Sequence, residues 1–148
     1  MEFKKDNYVI STDPVRLDIK TIHNYLTRSY WSKGIPFEIV KKTIENSFCF
    51  GVYDETSQIG FARVISDFVT FGYLADVFIL EEHQGKGLGI WLIECILNHP
   101  DLQGFRKWLL VTKDAHRLYE KFGFRNLAMP ETYMEIAKPG IYSQTEYI

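Results

Sequence analysis

The sequence predicts an α/β (α+β) fold: a mixed, mostly antiparallel sheet of about six to seven strands, flanked by helices on both faces. Three observations predict it. The period of the apolar residues switches along the chain in the order β-α-α-β-β-β-α-β-α-β. Only one segment, a strand that runs through a glycine loop into a helix and on to another strand, can form a parallel crossover, so the other strands pair as antiparallel neighbours. Finally, 148 residues with 46 % hydrophobic and 24 % charged side chains suffice for one core, and no repeat or Pro/Ser-rich linker divides them. One domain over residues 1–148 is expected, and a doubly wound sheet is not.

The elements follow in order. Val9-Ile10-Ser11 reads as a first strand stopped by Asp13-Pro14. Asp18 is a natural N-cap for a helix in which Ile19, Ile22 and Leu26 recur at helical spacing up to about Ser29. A loop carrying Tyr30 and Trp31 follows, and Pro36 opens a second helix to about Glu45, with Ile39, Val40 and Ile44 as its buried stripe. The period then falls to two. Phe48 to Tyr53, the polar turn Asp54-Glu55-Thr56-Ser57, and Ile59 to Ile65 form a hairpin, and Tyr73 to Leu80 extends it. Beyond Gly85-Lys86-Gly87-Leu88-Gly89 a helix places Leu88, Trp91, Leu92, Cys95 and Ile96 on one face. Trp108 to Thr112 is a strand. Asp114 caps a short helix with Ala115, Leu118, Tyr119 and Phe122, and Gly123 stops it. Tyr133 to Ala137 is expected as a last strand, and residues 138–148 as a loose tail.

Composition narrows the function classes. Seventeen Lys+Arg against nineteen Asp+Glu leave a net charge of −2, which gives no overall pull toward nucleic acid or an anionic membrane. No apolar stretch approaches the ~20 residues of a membrane span, and Met1 to Asp6 contains no signal core. Two cysteines make no disulfide framework, so a cytoplasmic protein is expected. Cys49 and Cys95 lie on apolar stretches with no adjacent histidine and read as core thiols. His23, His83, His99 and His116 share no ligand spacing, so no metal is expected.

The glycine loop carries the chemistry. Glycines admit close backbone approach, and the first amides of a helix point at a bound anion. A Walker loop is excluded, because Gly89 is followed by Ile90-Trp91 and not by Lys-Ser/Thr. The dinucleotide fingerprint fits poorly, because the spacing is G-x-G-x-G and lies past mid-chain. Gln84-Gly85-Lys86-Gly87-Leu88-Gly89 does resemble the Q/R-x-x-G-x-G/A loop of the GNAT N-acetyltransferase superfamily. Leu74 to Ile79 resembles that family's cofactor strand, and Ala115-x-x-Leu118-Tyr119-x-Lys121-x-Gly123-Phe124 resembles its A-x-x-L-Y-x-K-x-G-F helix. The likeness spans roughly residues 48–136. One departure is Thr112, three residues before the alanine, where the family commonly has Asn.

The resemblance implies acetyl transfer from acetyl-CoA to a primary amine by direct attack in a ternary complex. The other expectation is a non-catalytic CoA-binding or regulatory module of the same fold. Gln84 to Ile90 (Gly85, Lys86, Gly87, Leu88 and Gly89 between them) are implied to hold the pyrophosphate. Val77, Phe78 and Ile79 would align the thioester arm, with Thr112 near the cofactor. Tyr119 is the implied acid: a phenol of pKa ~10 is protonated at neutral pH. Asp76, a lone carboxylate in an apolar strand, reads as a base or as a paired structural charge, since the position before it is Ala75 and not a second acid. Asp67, Glu81, Glu82 and His83 are further base candidates or solvated loop groups. Tyr30 and Trp31 line the acceptor pocket or staple the core. Lys86 adds positive charge beside the phosphates. The partner is a small-molecule or peptide amine, with no nucleic acid and no membrane, and the chain is a monomer or homodimer.

Overall fold

The computed structural model describes residues 1–143. Six strands form one open sheet in sequence order: β1 (Glu2–Lys5), β2 (Tyr8–Ser11), β3 (Phe48–Asp54), β4 (Ser57–Ser66), β5 (Phe71–Ile79) and β6 (Lys107–Leu110). Every pairing is antiparallel except β5 with β6, which run parallel across the one crossover. The helices are α1 (Ile19–Leu26), α2 (Phe37–Glu45), α3 (Leu88–Leu97) and α4 (His116–Glu120).

The period-two alternation sends the two sides of the sheet into two cores. On one side Phe50, Val52, Ala62, Val64 and Leu74 pack against Leu92, Ile93 and Ile96 of α3 and Tyr119 of α4. On the other, Cys49, Phe61 and Phe78 pack against Ile22 and Leu26 of α1 and Val40 and Ile44 of α2. Helices therefore cover both faces of a mixed sheet, as expected. Asp18 caps α1 by accepting the Thr21 amide at 3.3 Å and the Thr21 hydroxyl at 2.9 Å. Among the described residues no helix is long and apolar enough to cross a membrane.

Three local expectations are corrected. β1 was not expected: Glu2-Phe3-Lys4-Lys5 is too charged to show a buried strand, yet it pairs with β2 across a turn with Asp6 at φ 54°. An exposed edge strand tolerates charge on both faces. Asp114 does not cap α4. The N-cap is Ala115, and the hydroxyl of Thr112, three residues earlier, accepts the Ala115 amide at 3.0 Å. The C-terminal stop does follow the glycine: at φ 94° Gly123 lets its own amide reach Glu120 O and the Phe124 amide reach Tyr119 O, while the Phe124 ring packs on Tyr119. Tyr133 to Ala137 is exposed but is not a strand, because nothing among the described residues pairs with it. Of the expected tail, residues 138–143 make a turn and are largely exposed, and residues 144–148 lie outside the described residues.

Candidate functional site

A break in the sheet makes the site. β5 and β6 are in register from Phe71↔Lys107 to Leu74↔Leu110; beyond that pair β5 continues to Ile79 while β6 ends. On the other edge of β5, Asp76 and Val77 together oppose the single residue Ala62 of β4, a bulge in which Asp76 adopts φ 54°. The extra residue twists β5 away from its neighbour and leaves the edge of residues 75–79 that faces β6 unpaired. The gap so formed has a volume of about 490 Å³ and is lined by Tyr30, Trp31, Arg63, Asp76, Thr112 and Tyr119, among others. Tyr119 belongs to the α3 side of the sheet and Asp76 faces the α1–α2 side, so the opening passes from one face to the other.

The α1–α2 wall is held by long-range polar contacts. Asp76 Oδ2 accepts from Arg63 Nε at 2.6 Å, and Asp76 Oδ1 accepts from the Trp31 indole at 2.8 Å. Arg63 also donates through Nη1 to the Ser47 hydroxyl at 3.1 Å. The two charged side chains are only 16 % and 8 % exposed, so each depends on the other for the solvation that burial removes. Tyr30 stands edge-on to Trp31, and its hydroxyl accepts the Lys113 amide at 3.1 Å. The loop after α1 is thereby pinned to the turn that follows β6.

Tyr119 closes the opposite wall. It is buried, and its hydroxyl makes no hydrogen bond among the described residues. Burial, with a smaller contribution from the nearby Tyr30, pushes its pKa up to about 12, so the phenol keeps its proton throughout the usable pH range.

The glycine loop does not line this gap. It lies at the carboxyl end of β5, tied back by the Gln84 side-chain amide, which donates to Ile79 O at 2.8 Å. Gly85 and Gly87 sit at φ 80° and 79°, where glycine carries no penalty, and α3 begins directly after Gly87. Among the described residues the amides of Gly85 to Ile90 donate to no acceptor; the first to do so is that of Trp91, to Gly87 O at 3.1 Å. An added Cβ at 85, 87 or 89 would meet nothing within 4 Å, so the space over these amides is open. Because β5 and β6 are parallel, this cradle and the mouth of the gap are at the same end of the sheet.

Comparison with known proteins accounts for this arrangement. The GNAT acetyltransferase domain family matches residues 45–126, which include β3, the bulge, the glycine loop and Tyr119. A Gibberella zeae protein provisionally named an acetyltransferase is 35 % identical over 86 % of this chain and 81 % of its own length. The chain belongs to the GNAT acetyltransferase family. A crystallised GNAT-family protein of Xanthomonas campestris pv. campestris, also provisionally named, shares 45 % identity and superposes with a TM-score of 0.91 over 95 % of this chain and 99 % of that one. A GNAT acetyltransferase of Elizabethkingia anophelis, solved with acetyl-CoA bound, has the same fold at 20 % identity, with a TM-score of 0.65 over 93 % of this chain and 92 % of that one.

Within this GNAT domain the structure sorts the other candidates. Asp67 closes the β4–β5 turn: its oxygens accept the Val69, Thr70 and Phe71 amides and the Thr70 hydroxyl, which holds its carboxyl far below the ordinary range. Glu81 pairs with Arg28 at 2.6 Å, and that hydrogen bond lowers its pKa. Burial pushes Cys49 up to about 12 and Cys95 to about 11, so neither supplies a thiolate at neutral pH. Among the described residues no group of three His, Cys, Asp or Glu is placed to hold a metal ion. Reading the sequence missed Arg63. The signal was available: two lone charges, Arg63 and Asp76, sit in adjacent apolar strands, where each would be costly without the other.

Proposed function

We propose that this chain acetylates a primary amine by direct attack on acetyl-CoA, both substrates meeting in the gap between β5 and β6. The observation that carries the reading is that gap, with a protonated tyrosine on one wall and a fixed carboxylate on the other. The residues fit the donor. Six unbonded amides at residues 85–90 on a helix N-terminus suit a diphosphate, with Gln84 holding the loop's root and Lys86 adding positive charge. The freed main chain of Val77, Phe78 and Ile79 offers donors and acceptors to the pantetheine amides. The Thr112 hydroxyl keeps its proton to donate, since its oxygen already accepts from Ala115. Acetyl-CoA, when bound, supplies an acetyl group activated as a thioester.

The chain's own residues then handle protons and position. Tyr119 donates a hydrogen bond to the departing sulfur. A phenol raised to about 12 is a weaker acid than a thiol of pKa ~8.5, so it steadies the developing thiolate, and the proton that finally stays on sulfur comes from the amine. Asp76 orients the acceptor and takes the first of the two protons that the ammonium gives up, directly or through water, while the second passes to sulfur as the C–S bond breaks. Its two oxygens hold one donor each and retain further lone pairs. Tyr30 and Trp31 form the acceptor side of the gap. With both thiols buried and protonated, a covalent acyl-enzyme has no thiolate to form on, which favours direct attack.

Thiol release in the presence of an amine panel tests the reading. The wild-type chain releases CoA with at least one amine, and Tyr119→Phe lowers turnover by roughly 10²–10⁴ with the KM for acetyl-CoA kept. Folding is spared, because the lost hydroxyl has no hydrogen-bond partner among the described residues. Stabilisation by acetyl-CoA without thiol release from any amine would instead favour a CoA-binding module.

A further inference from the structure

Arg63 is bound at only part of its capacity. A guanidinium carries five N–H donors, and among the described residues Arg63 uses two: Nε donates to Asp76 Oδ2 at 2.6 Å and Nη1 to the Ser47 hydroxyl at 3.1 Å. The two-pronged contact common between arginine and a carboxylate is not made, because Asp76 turns its other oxygen to the Trp31 indole at 2.8 Å. Nη2, the second arm of the fork that Nε begins, is left without a partner among the described residues. The side chain lines the gap while only 16 % exposed, so its free donors open on a cleft where bulk water reaches little of them. Buried donors in that position call for an oxygen from the molecule that fills the cleft.

A simple amine does not supply that oxygen. Its ammonium at Asp76 would place cations on both sides of one carboxylate and leave the open arm of Arg63 unused. A carboxylate on the acceptor changes the balance: ammonium, Asp76, Arg63 and carboxylate then alternate in sign, and each charge has an opposite neighbour. Because Asp76 and Arg63 touch, the two groups that they bind must also be neighbours in the acceptor, as they are when one carbon bears both. At the rim, Lys113 and Asp114 carry opposite charges and leave this balance as it is. The rings of Tyr30, Trp31 and Tyr73 line the same gap, the first two with centroids 5.1 Å apart, and offer apolar surface to a side chain.

We infer that the acceptor is a free α-amino acid with an apolar or aromatic side chain, its amine set at Asp76 and its carboxylate on the open arm of Arg63. The inference rests on the acetyl transfer proposed above and names the class of amine. The N–C bond forms as the C–S bond breaks, and the two protons of the ammonium go to Asp76 and to sulfur, so the products are the N-acetylamino acid and CoA. Acetylation removes the ammonium. The product therefore keeps its contact with Arg63 and loses the one with Asp76, which weakens its hold on the site.

Phenylalanine, phenylalaninamide and 2-phenylethylamine share a side chain and differ at the carboxylate; leucine, leucinamide and isopentylamine form a second such series. Each is offered to the full wild-type chain with acetyl-CoA while thiol release is followed. In at least one series kcat/KM is expected to be about a hundredfold higher for the acid than for the amine, since the amine leaves buried donors unpaired. Arg63→Lys keeps a cation for Asp76 and loses the open arm. It is expected to cut the acid-to-amine ratio at least tenfold, whereas a purely structural Arg63 would lower both substrates alike and leave the ratio as it was. In calorimetric titrations with CoA in place of acetyl-CoA no transfer occurs, and the acid is still expected to bind at least tenfold more tightly than the amine. Amines used as well as the acids in both series overturn the inference and leave amine acetylation standing. Amides used as well as the acids overturn it in favour of a peptide N-terminus. Thiol release from no amine at all overturns the acetyl transfer and the acceptor with it; the calorimetric preference then tests the carboxylate site alone, which equal binding of acid and amine would overturn.

Discussion

Replacing Asp76 tests the bulge and the buried ion pair together. Asp76→Asn removes the charge but keeps an acceptor for the Trp31 indole, and asparagine tolerates φ 54° nearly as well as aspartate. What remains is Arg63, 16 % exposed, facing a neutral amide. Breaking a buried pair by removing one partner costs about 3–5 kcal/mol, and the retained acceptor places asparagine near the lower end, at about 3 kcal/mol. Asp76→Ala loses the acceptor as well and puts a Cβ with no polar compensation in the left-handed region, which adds about 1 kcal/mol. For a chain of this length the unfolding entropy is roughly 0.3 kcal/mol/K, so the asparagine variant should melt about 10 °C lower. Urea denaturation of wild type, Asp76→Asn, Arg63→Met and the double variant completes a cycle in which a coupling of about 2 kcal/mol is expected. Additive single effects, or an Asp76→Asn loss below about 0.5 kcal/mol, would show that the pair is not buried as described and remove the basis for a fixed carboxylate in the gap.

Two further outcomes follow from the site and the core. Gly89→Ala lies in the first turn of α3 without a positive φ and with open space around the new methyl, so the free protein should gain up to about 1 kcal/mol from helix propensity. The same methyl intrudes where a diphosphate would approach the amides, and the KM for acetyl-CoA should rise roughly tenfold; an unchanged KM would place the phosphates elsewhere. The pH dependence rests on His99, whose ring lies among Phe3, Phe48 and Phe50 and accepts the Asp101 amide through Nδ1 at 3.0 Å. Burial lowers its pKa below the unfolded value of ~6.5, so the unfolded chain binds the extra proton and stability, fully present above that value, is lost as pH falls through it. Urea midpoints at pH 7.5 and 5.5 should differ more for wild type than for His99→Gln, and equal differences would exclude His99 as the cause.

Much of the fold was legible because it is encoded by near neighbours. Asp18 caps α1 from three residues away, α3 follows its i, i+3, i+4 stripe, and Gly123 ends α4 through bonds that span five residues. Errors arose where a local signal had a stronger local competitor or no partner. Thr112, and not Asp114, reached the Ala115 amide. Glu2 to Lys5 became a strand despite its charges because it pairs with β2, and Tyr133 to Ala137 did not because among the described residues it joins no strand's ladder.

The sequence by itself determined the order of elements, the single crossover, the glycine cradle at the head of α3 and the family motif that places Tyr119. Tertiary structure alone decided where β5 leaves β6, that Asp76 turns through a left-handed bulge, and that Arg63, thirteen positions away, and Trp31, forty-five positions away, hold its two oxygens. The division has a physical cause. Periodicity and capping arise from contacts within a turn or two of chain, whereas a bulge and a buried ion pair are settled by what the neighbouring strand and the facing loop present once they have packed.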